Sequence, residues 1–298
     1  MDTSLTLLVD APSLIYRAFF STPDTTRAPD GRLVNAAAGF FNMLARFVSD
    51  HRPDLIACAA DSDWRPQWRV DLIDTYKSHR AAAGSAQEQA EDLIGPQVVL
   101  IYELLSLIGI AVVGHEGNEA EDVIGTLAAR SPGRAAIVSG DRDLFQLVED
   151  PRCYILYPRR GAREVTIVDE AYIAGKYGIP GRAYKDFAIL RGDPSDGLPG
   201  VRGIGEKTAA SLVARYGSLI GILEAISQGE RSVVLDKVKA SVGYLERAVQ
   251  VVTIPTDLPL APVDVTAPRP PFEAAVTETA VAAGLSDPVQ ALLAALGR

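Results

Sequence analysis

GHEGNEAEDVIGTLAARSPGRAAIVSGDRD, residues 114–143, decides how the rest of the chain is read. It sets five carboxylates, Glu119, Glu121, Asp122, Asp141 and Asp143, around a helix and a short apolar strand. The spacing predicts a helix with Asn118 as N-cap, Glu121 as its capping-box partner, and Val123, Ile124 and Leu127 on one side. Residues 135–138 predict a buried strand, with the acids of SGDRD just past its C-terminal end. Acids in a first helical turn favour the dipole, which accounts for Glu121 and Glu119 but not for Asp141 and Asp143. Crowded carboxylates repel unless cations lie among them. Hard divalent cations take oxygen ligands, so the stretch predicts a metal site.

Upstream, apolar strands at 5–9 and 55–60 end at Asp10 and Asp61. Helical spacing over 13–20, 35–49 and 98–108, a loop over 22–32 and a short strand at 110–113 complete an alternation of strands and helices. Such alternation predicts an α/β fold, a mainly parallel sheet flanked by helices. Ligands bind such sheets outside the carboxyl ends of the strands, where Asp10, Asp61 and Asp141 all stand. One Asp there is commonly a turn starter; three, beside an acid-rich helix start, point to a site. Downstream, 153–158 and 164–168 predict a hairpin around Arg159, Arg160, Gly161 and Arg163. Helices follow to about residue 254, then a Pro-rich extended segment at 256–271. Helical pieces at 273–296 are interrupted near Gly284 and Pro288.

At 298 residues and 48% hydrophobic, the chain suits one large domain or a main domain with a smaller one. No apolar run is long enough to cross a membrane, and the start lacks a signal-peptide layout, so a cytoplasmic protein with no membrane partner is expected. Cys58 and Cys153 sit in apolar runs as reduced core residues, and the three histidines have no zinc-like spacing. A net charge of −9 argues against a broadly basic nucleic-acid binder. That objection weakens if the acids are gathered around cations.

Basic residues are concentrated in DSDWRPQWRVDLIDTYKSHR, residues 61–80, where Arg65, Arg69, Lys77 and Arg80 interleave with Trp64, Trp68 and Tyr76. This suits a phosphate backbone with bases to stack on; an exposed helix with long side chains lying along it is the other reading. AAAGSAQEQAED, residues 81–92, is small and polar and predicts a loop or arch above the sheet edge. In residues 191–217, Asp193 and Asp196 precede a turn punctuated by Gly200, Gly203 and Gly205, and then a helix over 206–216. No strand feeds this turn, so it is not a dinucleotide fingerprint. It suits a hairpin between helices whose N–H groups face a phosphate, or a glycine-rich turn with no ligand.

Together, LLVDAPSLIYRAF, CAADS, WR followed by TYKSHR, GNEAEDVIGTLA, SGDRDLFQL and GDPSDGLPGVRGIGEKTA resemble the 5′ nuclease family, in family order from about residue 5 to residue 215. That family includes the 5′-nuclease domain of bacterial DNA polymerase I and stand-alone flap endonucleases; this chain reads as free-standing. The resemblance implies a PIN-like core over 1–168 with an arch around 62–95. It further implies a helix–hairpin–helix DNA-binding region over 169–260 and a C-terminal extension over 261–298. Nine acids would gather at the sheet edge: Asp10, Asp61, Glu119, Glu121, Asp122, Asp141, Asp143, Asp193 and Asp196. One metal would sit among Asp10, Asp61, the helix acids and Asp141, and a second towards Asp143, Asp193 and Asp196.

The implied cofactors are two or more Mg²⁺ or Mn²⁺ ions, with K⁺ at the hairpin. Two cations about 4 Å apart activate a water and stabilise a leaving oxygen without a Ser, Cys or His nucleophile. Lys77 and Arg80 would grip the scissile phosphate, Arg69 the neighbouring backbone, and Tyr76 would stack on a terminal base; Tyr16 and Arg17 match the first motif. Gly200, Gly203, Gly205 and Lys207 would hold duplex DNA through its backbone, which positions without reading sequence. The implied activity is 5′→3′ exonuclease and 5′-flap endonuclease on DNA ends, flaps or junctions, in Okazaki fragment processing and repair. A monomer linked in function to a polymerase and a ligase is expected. Glu121 stands where relatives usually carry Asp, and Gly197 where Asn is common. A non-catalytic junction binder, a phosphatase using Asp61 and Asp63, and an RNA-cleaving relative are the competing readings.

Overall fold

β1 (Leu5–Asp10) has all six residues buried, as a strand covered on both faces requires. Leu5, Leu7 and Val9 join the core on one face of the sheet and Leu8 the core on the other. The computed structural model describes residues 2–80, 86–160 and 164–298. Among these, β2 (Leu55–Ala59), β3 (Ala111–Val113), β4 (Arg134–Val138), β5 (Cys153–Arg160) and β6 (Glu164–Val168) complete a sheet of order β3-β2-β1-β4-β5-β6. Every pairing is parallel except β5 with β6. The expected hairpin is present, although its turn at 161–163 lies outside the described residues.

α1 (Ala11–Ser21), α2 (Asn35–His51) and, beyond the short α3 (Gln67–Leu72), α4 (Ala86–Ile108) are elements of the N-terminal half. Phe40, Leu44, Ile101 and Leu105 of α2 and α4 share one core with Leu7, Val9 and Ile56. The buried start of α2 has no cap of its own. Gln97 of α4 supplies one, its side-chain oxygen accepting from the N–H groups of Ala36 and Ala37 at 2.8 and 3.2 Å. α4 begins twelve residues before the predicted 98, so 86–92 are helical rather than part of an arch loop. The segment is rich in Ala, Gln and Glu, all good helix formers, and Ala90 and Ile94 place a helical stripe in the core. Residues 81–85 of that expected arch lie outside the described residues.

On the opposite face lie α5 (Ala120–Arg130) and a helical half: α6 (Glu170–Tyr177), α7 (Tyr184–Arg191), α8 (Glu206–Tyr216), α9 (Leu219–Ser227), α10 (Val233–Ala240) and α11 (Val242–Val252). Phe145, in a 3₁₀ turn at Asp143–Leu147, joins this half to the sheet. Its ring centroid lies 5.2 Å from Tyr184, which lies 5.3 Å from Tyr177 and 5.5 Å from Phe187. The return segment then passes over α5 so closely that a side chain at Gly125 would overlap Ile254 and Pro255. It extends the sheet where β3 is too short: Ile56 donates to Val265 O and Ala267 to Asp54 O. α12 (Ala274–Ala282) and α13 (Ser286–Leu296) close the chain, with Leu285, Val289, Leu292 and Leu296 in the α2 core. The helical break falls at Gly284, φ +69°, alone; Pro288 sits in the first turn of α13, where proline is tolerated. Among the described residues no single helix is long and apolar enough to cross a membrane.

Candidate metal centre

Parallel pairing aligns the strand ends: Asp10 is level with Ala59, and Val9 with Val138. Asp10, Asp61 and Asp141 therefore leave the sheet at one edge. Asp10 caps α1, its Oδ1 accepting from Ser13 N–H at 3.1 Å, while its Oδ2 accepts from Ser139 Oγ at 2.5 Å. The capping and site readings thus coincide on one carboxylate. Asp61 Oδ1 accepts from the N–H of Ala120, the first residue of α5, at 2.8 Å.

The start of α5 is shifted one residue from the expected register. Glu119 is the N-cap and Asp122 the N3 partner, whose Oδ2 accepts from Glu119 N–H at 3.2 Å. Asn118 instead bonds the His115 ring and Asp122. Glu121 is thereby freed from capping and faces a cavity of about 630 Å³ that also exposes Asp10, Asp61, Glu119 and Asp141. Carboxylate oxygens of Glu121, Asp141 and Asp143 all lie within 4.8 Å of one another. Two oxygens on one divalent ion, each about 2.1–2.5 Å from it, can stand no more than about 5 Å apart. The all-oxygen donor set and this spacing fit a hard divalent cation.

Burial and mutual repulsion raise these acids together. Burial pushes Asp10 up to about 7, against the Ser139 hydrogen bond and with Asp141 and Asp61 adding to the rise. Burial, then the neighbouring Glu119, holds Glu121 well above the usual carboxylate range, with Arg69 opposing. Asp143 is likewise raised by burial and then by Asp141, Asp196 and Asp193, and Asp61 and Asp196 are raised chiefly by burial. Acids from β1, β2, α5, β4 and the 193–198 turn are thus electrostatic neighbours. In that turn Asp193 and Leu198 exchange backbone hydrogen bonds at 3.0 and 2.8 Å. Asp193 pairs with Arg191 at 3.1 Å and Asp196 with Arg80 at 2.9 Å. Gly197 has φ +72°, and a Cβ on it would overlap the Thr75 carbonyl, so the Asn common at this place in the family has no room here.

Three expected roles are corrected by burial. Asp122 is fully buried, away from the cavity, with Oδ1 on Arg69 and Oδ2 on Asn118 and the Glu119 N–H. Arg69, also fully buried, is an internal counter-ion to Glu119 and Asp122 and cannot hold a DNA backbone. Tyr76 is 2% exposed and donates to Glu119 Oε1 at 2.5 Å, so it is not free to stack on a base. Lys77 and Arg80 do line the cavity. Lys77 holds Glu119 Oε2 from a left-handed backbone, φ +47°.

In the glycine hairpin, the Gly200 N–H donates to Tyr244 Oη at 3.1 Å rather than facing outward. The Gly203 carbonyl accepts from Lys237 Nζ at 3.1 Å. Gly205 starts α8 without a side-chain cap, and Gly205 and Lys207 are exposed. Ser139 and Ser13 escaped the sequence analysis. Ser139 Oγ donates to Asp10 and accepts from Asp141 N–H, and Ser13 Oγ accepts from Gly140 N–H. The only signal for them was their position beside acids at strand ends.

Two family models match the chain, one over the acid-lined sheet and one over most of the helical half. Residues 5–178 match the 5′-3′ exonuclease N-terminal resolvase-like domain and residues 179–272 the 5′-3′ exonuclease C-terminal SAM fold. A Streptomyces coelicolor protein named 5′-3′ exonuclease is 46% identical over 97% of this chain and 99% of its own. The Mycobacterium bovis DNA polymerase I is 38% identical over 86% of this chain and 28% of its own. The chain belongs to the 5′-3′ exonuclease family. Its fold is shared by the bacteriophage T5 D15 flap endonuclease, solved with DNA and metal ions, at a TM-score of 0.69 and 15% identity over 98% of this chain and 99% of that one.

Proposed function

We propose that this protein is a divalent-cation-dependent 5′ nuclease that hydrolyses DNA phosphodiesters at 5′ ends, flaps and junctions. The observation that carries this is the Glu121, Asp141 and Asp143 oxygen cluster within 4.8 Å, opening on a cavity that also presents Lys77 and Arg80. Glu121, Asp141 and Asp143 would hold one ion, with Asp10 and Asp61 lining the same cavity and Asp193 and Asp196 towards Asp143. Bound Mg²⁺ or Mn²⁺ supplies Lewis-acid activation of the attacking water and neutralisation of the leaving oxygen. The chain's own part is placement. Ser139 and Ser13 fix Asp10, the aromatic cluster beneath Phe145 seats Asp143, and Lys77 and Arg80 bring positive charge to the phosphate. The exposed start of α8 offers uncapped N–H groups to a backbone phosphate, a contact blind to sequence.

Removal of flaps between replicated fragments and at repair gaps, by a cytoplasmic monomer serving a polymerase and a ligase, is the cellular role this chemistry suits. A labelled 5′-flap duplex tests the activity. Cleavage is expected with Mg²⁺, none in EDTA, and recovery when Mg²⁺ is restored. Cleavage that persists in EDTA overturns the metal assignment.

A further inference from the structure

Arg69 is a strongly basic side chain sealed inside the molecule beside the acids proposed to hold ions, without lining their cavity. Its Nη1 donates to Glu119 Oε1 at 2.8 Å and its Nη2 to Asp122 Oδ1 at 2.7 Å. Glu121 Oε1 stands 3.6 Å from Nη2, an ion pair beyond hydrogen-bond reach. The third edge of the guanidinium faces elsewhere: Nε donates to Val251 O at 3.2 Å. That carbonyl belongs to the last turn of α11, where a helix leaves its C=O groups without internal partners. The Trp68 ring, 4.7 Å from the guanidinium carbon, packs against it.

We propose that Arg69 is a positioning residue that sorts the three carboxylates at the start of α5, hydrogen-bonding Glu119 and Asp122 and leaving Glu121 for a divalent ion. The same guanidinium makes this sorting depend on the docking of α11, and so on the helical half. The hydrogen bonds support the division. Arg69 and Lys77 hydrogen-bond Glu119 and Asp122, whereas Glu121 has only the longer ion pair with Arg69 and joins the cluster with Asp141 and Asp143. The planar fork is what allows one side chain to face two elements at once. A lysine would keep the charge and lose one of the faces. This assignment rests on the proposed ion site.

The test uses the full chain as wild type, Arg69→Gln, Arg69→Lys and Asp122→Asn. Mn²⁺ alone is titrated by calorimetry, metal-free melting is recorded, and kcat and KM are measured on a 5′-flap duplex. Arg69→Gln is expected to weaken Mn²⁺ binding by about ten-fold or more, as loss of a partner behind the ligands does, and Arg69→Lys to recover part of it. The kcat should fall while KM for DNA stays within about two-fold, because Arg69 does not reach the substrate. Wild-type Mn²⁺ affinity in Arg69→Gln, with or without a raised KM, overturns the proposal. Should Arg69→Gln lose its cooperative melt, Asp122→Asn decides. It should bind as many Mn²⁺ ions as wild type, and loss of an ion would make Asp122 a ligand and overturn the sorting. A wild-type protein that takes up no Mn²⁺ overturns the ion site and this assignment together, an outcome distinct from normal uptake unaffected by Arg69→Gln.

Discussion

At the scale of single residues, Asp143 and Lys77 separate chemistry from binding. Asp143 lies in the oxygen cluster. Asp143→Ala is expected to abolish turnover, by about a thousand-fold or more, while a gel-shift assay without added metal finds flap-DNA affinity within a few-fold of wild type. Lys77→Ala should lower single-turnover cleavage by about ten- to a hundred-fold and leave affinity less affected. A normal cleavage rate once bound would remove Lys77 from the reaction. The acids were legible in the sequence because strand ends and helix starts are themselves legible. Their partners were not. Arg69 and Tyr76 alternate with other basic and aromatic residues in a pattern that a DNA-facing helix and a buried ion pair share, and only burial distinguishes the two. The α5 cap slipped for a similar reason. Asn118 with Glu121 and Glu119 with Asp122 have the same spacing, and a hydrogen bond from Asn118 to Asp122, four residues on, accompanies the second.

At the scale of elements, strands and most helices followed from apolar periodicity, whereas reach between elements did not. The start of α2 is capped by Gln97 from another helix, a bond that no local window contains. α13 shows the same limit. A helical piece was expected there, but its place against α2 depends on the whole intervening chain. Leu292 is fully buried there. Leu292→Ala should therefore destabilise the protein by about 2–5 kcal/mol in urea denaturation. A loss below about 0.5 kcal/mol would mean that α13 is not part of the folded core.

At the scale of the molecule, the acid cluster makes stability depend on pH and on cations together. Asp10 is raised from 3.8 to about 7 by burial, so between those values the folded state holds a proton that the unfolded chain releases. Its contribution is present in full below about pH 4 and is lost as pH rises towards 7. Metal-free wild type should therefore lose melting temperature relative to Asp10→Asn between pH 5 and pH 8. Excess Mg²⁺ should return more of it at pH 8, where the acids are ionised, than at pH 5. Parallel melting curves for the two proteins, with no Mg²⁺ effect, would contradict this.

Tyr177 and Tyr184 stand on opposite sides of the border between the two matching family models, yet their rings are 5.3 Å apart beneath the turn that carries Asp143. A sequence boundary therefore runs through a packed interior. A protein engineer who cut at residue 178 would obtain one fragment with a bare aromatic face and no Asp193 or Asp196, and another without the Phe145 and Tyr177 rings that Tyr184 packs against. For recombination between relatives, the two segments should be exchanged as one inheritable block.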